Sequence, residues 1–224
     1  MTEAEWLACE DPGTILEFFR DRTSDRKLRL IAVACCQRAK FIVPTDYHDL
    51  ADIAEAFAEG RASAEDLEAV WARHCRLDSY PDRAAFYDTA DPNICASEQL
   101  PYLVEDLADG IASCKVDHEG KTFEEWVEEK SAVFRVENSL TSVQIRDIFG
   151  NPFRPVPFSP SWRTSTVVAL AAQMYESRDF SAMPILADAL QDVGCDSADV
   201  LDHCRNDGPH VRGCWIVDLV LGKE

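Results

Sequence analysis

Apolar residues recur at spacings of three and four along most of the chain, while the strict alternation of a half-buried strand is scarce. This periodicity restricts the fold to packed helices. Leu28, Ile31, Ala32, Cys35 and Ala39 share one face of a helix that Thr23-Ser24-Asp25 can cap. Leu30, Val33 and Ala34 make the same segment apolar nearly all round, which marks it as central. Leu50, Ile53, Ala54 and Phe57 form a second stripe, closed by Gly60, a residue that reaches the left-handed conformation ending many helices. Ser63 and Asp66 form a capping box with Asp in place of Glu ahead of Leu67, Val70, Trp71 and His74. Further stripes follow at Leu100, Leu103, Val104, Leu107 and Ile111, and at Trp126, Val133 and Phe134 behind the capping pair Thr122 and Glu125. One more short helix is expected from Leu140 to Phe149, stopped by Gly150.

The segment 151–160 has four prolines in ten residues. Proline lacks the N–H that a helix or ladder needs, so the segment is expected to be extended, a strap anchored by Phe153, Val156 and Phe158. Beyond it the texture becomes compact. Val167, Val168, Leu170, Ala171 and Met174 mark one helix. Pro184 opens the next, with Ile185, Leu186, Ala189 and Leu190 before Gly194. Ser197 caps a helix through Val200, Leu201 and Cys204, and Gly208-Pro209 is expected to open the last, which carries Val211, Cys214, Trp215, Val217, Leu219 and Leu221. The fold class read from this is all-α: an irregular multi-helix bundle of short helical hairpins with a proline-rich strap. It is not a regular solenoid, since no period of about 34 or 40 residues repeats. One domain, 1–224, is expected, with a loop or linker at 77–96 and a compact C-terminal helical subdomain at 161–224.

Charge is unevenly distributed. The formal net charge is −19, and residues 44–130 hold twenty-two acids against seven bases, whereas residues 1–43 are balanced at seven each. Such an acidic region, 44–130, repels phosphates, so direct nucleic-acid binding is not expected. It suits either a solvated face or a surface for a basic protein partner. Mimicry of nucleic acid is less well supported, because the carboxylates are mixed with apolar helix positions. No apolar run approaches the roughly eighteen residues that span a bilayer, so no membrane role is expected. Nine cysteines, an odd number, follow a polar, acidic start with no apolar leader. Free buried thiols in a reducing cytoplasm are therefore expected.

The densest group of reactive side chains is Cys195, His203, His210 and Cys214, with Cys204 nearby. Thiolate and neutral imidazole are ligands that zinc takes in a closed tetrahedral site. The spacing is Cys-x7-His-x6-His-x3-Cys, without the tight Cys-x2-Cys knuckle of the familiar fingers. Filling core positions and helix ends is the competing reading of the same residues. Four protein ligands would make the metal structural, as catalysis needs an open position. A Cys214 nucleophile paired with His210 lacks an evident oxyanion hole or orienting group. Cys35-Cys36 point about 100° apart on a helix and suit packing rather than a disulfide. Asp46, His48, Asp49 and Asp52, like Glu124, Glu125, Glu128 and Glu129, read as helical surface, with a hard cation as the alternative. No glycine-rich phosphate loop, Gly-x-Ser-x-Gly elbow or His-Glu-x-x-His helix is present.

Several segments resemble a planctomycete protein family: Trp6-Leu7 with Asp11-Pro12, the run Arg26-Lys27-Leu28-Arg29-Leu30 through Ala34-Cys35-Cys36, and the tail from Ile148-Phe149-Gly150-Asn151-Pro152-Phe153-Arg154-Pro155 to Pro209-His210-Val211-Arg212-Gly213-Cys214-Trp215. Segments similar to Leu186-Ala187-Asp188-Ala189-Leu190, Gly194-Cys195 and His203-Cys204-Arg205 complete the block. The resemblance covers both ends and implies a shared helical scaffold with a variable acidic insert; it carries no activity, cofactor or catalytic residue. Two functions remain: a non-enzymatic protein-interaction or regulatory module, and a zinc-stabilised domain or enzyme built on the terminal Cys/His group.

Overall fold

A computed structural model describes residues 1–20, 22–74, 88–91 and 99–223. The fold is all-α, with eleven α-helices and no strand among the described residues. The chain separates into two compact units, residues 3–145 and 146–224. The second begins ahead of the boundary expected at 161, because the strap residues Val156 and Phe158 pack on its core.

In the first unit, α1 (Glu3–Ala8), α2 (Pro12–Phe19), α3 (Asp25–Ala39), α4 (His48–Ala58), α5 (Ala64–His74) and α6 (Leu100–Lys115) precede α7 (Phe123–Phe149), whose last four residues belong to the second. The central helix is α3, buried from Leu28 to Cys36 and packed on α4 and α6. Its Arg29 is also buried, and a buried guanidinium needs acceptors. It donates to the carbonyls of Thr89 and Asp91, each at 3.0 Å, and its head lies 5.2 Å from the Phe57 ring centre. Trp6 is buried against Phe19, ring centres 5.3 Å apart. Both capping boxes form reciprocally: Ser63 N–H donates to Asp66 (2.9 Å) and Asp66 N–H to Ser63 (3.2 Å), and Thr122 and Glu125 do the same at 2.8 and 3.2 Å.

The two helices expected around 122–149 are one, since nothing between Phe134 and Leu140 breaks a helix and the inward residues hold it to its neighbours. Buried Glu137 accepts from Arg38 of α3 at 3.0 Å and from Lys115 of α6 at 2.8 Å. Arg38 also donates to Thr141 (2.7 Å) and to Gln144. Most of the expected 77–96 loop, and with it part of the acidic region 44–130, lies outside the described residues.

The second unit contains α8 (Ser165–Ser177), α9 (Met183–Asp192), α10 (Ala198–Arg205) and α11 (Trp215–Leu221), with α9 on α10 and α8 on α11. Val167, Met174, Leu186, Leu190, Val200 and Val217 form its core. Phe153, expected as a third anchor of the strap, is exposed instead; its N–H is taken by the Asn151 side chain in a tight turn that swings the ring outward. The last helix begins at Trp215 and not at Gly208-Pro209, because Gly213 has φ +96°, which no helix accommodates. Residues 209–214 are thereby free to turn, and that turn builds the site described next.

Candidate metal centre

Four side chains of the second unit converge. Asp147 lies in the last turn of α7, which Gly150 ends at φ +67°. Val200, Leu201 and Cys204 bury one face of α10 and set its register, which brings His203 to the end of that helix beside Asp147. His210 and Cys214 flank the 209–214 turn, with Cys214 as the N-cap of α11. Asp147 anchors the turn through its second oxygen, which accepts the Val211 N–H at 2.9 Å.

One donor atom from each of Asp147, His203, His210 and Cys214 lies within 4.8 Å of all the others. His210 Nδ1 is 2.7 Å and His203 Nε2 3.1 Å from Asp147 Oδ1. Cys214 Sγ is 3.3 Å from His203 Nε2 and 4.0 Å from His210 Nδ1. Bonds of about 2.0–2.3 Å to a tetrahedral zinc would place donors about 3.3–3.8 Å apart. The observed separations bracket that range, so these residues can hold a metal ion. The surroundings suit it as well. Cys214 is fully buried, and the side chains of Asp147 and His210 are only 4% and 7% exposed.

The same geometry argues against a nucleophile with a proton relay. A relay uses opposite nitrogens of one imidazole, one toward the thiol and the other toward the carboxylate. Here Nε2 of His203 faces both Cys214 and Asp147, and Nδ1 of His210 does likewise, while Nε2 of His210 is buried without a hydrogen-bond partner. Four donor atoms that converge on one point can serve as a ligand set once the ring nitrogens give up the protons they share with Asp147. Burial, and then the Asp147 charge, push the Cys214 thiol well above its ordinary range. A thiol in that state is inert until a cation replaces its proton. Burial pushes Asp147 upward too, but hydrogen bonds from His203 and His210 outweigh it and hold the carboxyl below the usual range. The cluster keeps its anionic charge on Asp147.

Of the four residues singled out by spacing, His203, His210 and Cys214 belong to this group and Cys195 stands outside it. Cys195 follows Gly194 (φ +90°), gives its N–H to Leu190 at 3.0 Å and is buried in the core. Cys204 is also in the core, its thiol raised to about 12 by burial and by nearby Cys195 and Asp147. Asp147 takes the fourth place. Its local signal is weak, a buried carboxylate that shares the interval between Ile145 and Ile148 with Arg146.

Most of the remaining candidates have structural partners. Cys35 and Cys36 are buried, with Cys36 Sγ 2.9 Å from Thr89 Oγ1 and its thiol raised mainly by burial. His48 is 3.0 Å from the Lys40 carbonyl, Asp49 pairs with Arg73 and His74, and Asp52 pairs with Lys40. Glu125 serves its capping box and Glu129 pairs with Lys121. Comparison with family models, curated proteins and solved structures finds no match. No helix among the described residues is long and apolar enough to cross a membrane.

Proposed function

We propose that this protein is a non-enzymatic protein-interaction module whose C-terminal unit is held together by a structural zinc ion. The observation that carries the reading is the convergence of Asp147, His203, His210 and Cys214 from three separate segments of that unit on one buried point. Zinc fits the donor set because one thiolate, two imidazoles and a carboxylate are borderline ligands that fill a tetrahedron. With every position taken by protein, none remains for a substrate, and the role is structural. The ion would link the end of α7, the end of α10 and the 209–214 turn, which is too irregular to be held by helix hydrogen bonds. Asp147 keeps its second oxygen on the Val211 N–H and so orients the ligand itself.

The interaction role rests on the acidic surplus of residues 44–130, which suits a basic protein partner and disfavours nucleic acid. A reducing cytoplasm suits the free thiols and preserves a thiolate ligand. The resemblance to the planctomycete family would fit a common scaffold that includes two of the three zinc-bearing segments, those of His203 and of His210 to Cys214, with the acidic insert particular to this member. The test is cobalt substitution. Chelated protein titrated with Co²⁺ should develop the intense visible bands of a tetrahedral site together with a thiolate charge-transfer band. Cys214→Ser should abolish the charge-transfer band, Asp147→Asn should weaken binding, and Cys195→Ser should change neither. Weak octahedral bands, unaffected by Cys214→Ser, would overturn the reading.

A further inference from the structure

We propose that the groove between α6 and the N-terminal half of α7 is the docking site for a basic amphipathic helix of a partner protein. This deepens the interaction-module reading and is independent of the metal. The groove encloses about 930 Å³. One wall, from α6, carries Glu105, Asp106 and Asp109; the other, from α7, carries Trp126, Val127 and Phe134. The apolar wall continues beyond the groove. Phe123, 76% exposed, has its ring centre 6.0 Å from that of Trp126, and Tyr102, 66% exposed, precedes Asp106 by one turn on the same face of α6. Large apolar side chains left in water along a rim of charge mark an interaction surface.

Three observations select the occupant. Both walls are helices whose backbone donors and acceptors are used internally, so a partner finds no strand edge and must bring its own satisfied backbone. Trp126 to Phe134 spans eight residues, about 12 Å at 1.5 Å per residue, which matches two turns of a ligand helix with apolar residues at i, i+3 or i+4, and i+7. The charge is unbalanced. Among the described residues, Lys130 is the one cation lining the groove and is taken by Asp109 at 2.7 Å, and Glu105 and Asp106 have no cationic partner. Partial burial, and then Asp109, push the Asp106 carboxyl up, so the wall repels itself. Lys130 also displays the recognition that a ligand lysine would repeat, its ammonium on Asp109 and 5.5 Å from the Trp126 ring centre.

The experiment uses the full chain, its zinc content measured on the same sample. The probe is a synthetic helix of leucine, lysine and alanine, about 18 residues long so that it holds a helix, with leucine on one stripe and lysine on its flanks. A scrambled peptide and one with glutamate for lysine are the controls. Fluorescence anisotropy should show saturable binding of the amphipathic basic peptide alone, weakened by added salt. The pair Glu105→Gln and Asp106→Asn should weaken it about 3–10-fold, and Trp126→Ala by about 30-fold or more, as for a central aromatic anchor. On the unaltered protein, the peptide should protect Cys114, an exposed groove residue, from alkylation while Cys9 reacts as before. Binding that persists in both groove variants and leaves Cys114 reactive overturns the groove but leaves the interaction module standing. No binding, or equal binding of the scrambled peptide, overturns the groove and the basic partner together. The zinc content reports on the metal independently.

Discussion

Gly150 supports the candidate metal centre without being part of it. It ends α7 at φ +67°, and a Cβ built there would lie 3.0 Å from both Cγ and Cδ2 of Trp215. Trp215 in turn packs on His203, ring centres 5.2 Å apart. Gly150→Ala thus carries two costs. The left-handed conformation costs a residue with a Cβ about 1–2 kcal/mol, and forcing a methyl against a packed ring costs about 1–3 kcal/mol more. Gly222→Ala isolates the first. Gly222 has φ +69°, in the same unit, and its nearest neighbour is the Arg163 guanidinium at 3.7 Å, an ordinary contact with the end of a flexible side chain. The expectation is a loss of about 1–2 kcal/mol for Gly222→Ala and about 2–5 kcal/mol for Gly150→Ala, with metal affinity reduced only in the latter. Urea unfolding read by hydrogen exchange of peptides from 165–221 measures both within the one unit. Equal costs for the two substitutions, or unchanged metal affinity in Gly150→Ala, would refute the packing of Trp215 as support for the centre.

Other expectations concern the first unit. Glu137→Ala leaves Arg38 without its main partner inside the α3, α6 and α7 packing and should cost about 3 kcal/mol in urea unfolding; a loss below about 1 kcal/mol would mean the triad is not a buried network. The Asp88 carboxyl is raised to about 6, by burial first and then by Asp91 and Asp106. Its folded form holds the proton more tightly than the unfolded chain, whose value is about 3.9, so its contribution to stability falls as pH rises between those values. Asp88→Asn should therefore stabilise at pH 7 by about 1 kcal/mol, discounted for its half-exposed position, and have no effect below about pH 4; a gain that persists at low pH would contradict this. In native protein, alkylation should modify exposed Cys114 and spare buried Cys36, whose reaction should wait for unfolding; rapid labelling of Cys36 would place it elsewhere.

Most helices from α3 onward were legible through apolar stripes or local caps, whereas the short α1 and α2 were not read. The Ser63–Asp66 and Thr122–Glu125 boxes form as their spacing suggests, and Gly60, Gly150 and Gly194 take positive φ where the stripes stop. Continuity was less legible: Leu140 began a stripe that is the same helix as Trp126, since a drifting apolar face resembles two short helices. The candidate centre was half legible. His203, His210 and Cys214 are close in sequence, and spacing joins them. Asp147 is 56 residues from His203 and lies on another helix, a proximity that only the tertiary fold creates. Cys195 drew attention by residue type, yet its position behind Gly194 places it in the core. The turn at 209–214 was read as helix because its apolar residues are suitably spaced; the positive φ of Gly213 is what overrides them.

Metal stoichiometry tests the central claim most directly. Protein purified without a metal-affinity tag, analysed by native and elemental mass spectrometry, should carry one zinc per chain, lost in Cys214→Ser and retained in Cys195→Ser. A metal-free chain that stays folded and gains no thermal stability when zinc is added would contradict the account and leave Asp147, His203, His210 and Cys214 as a hydrogen-bonded core cluster.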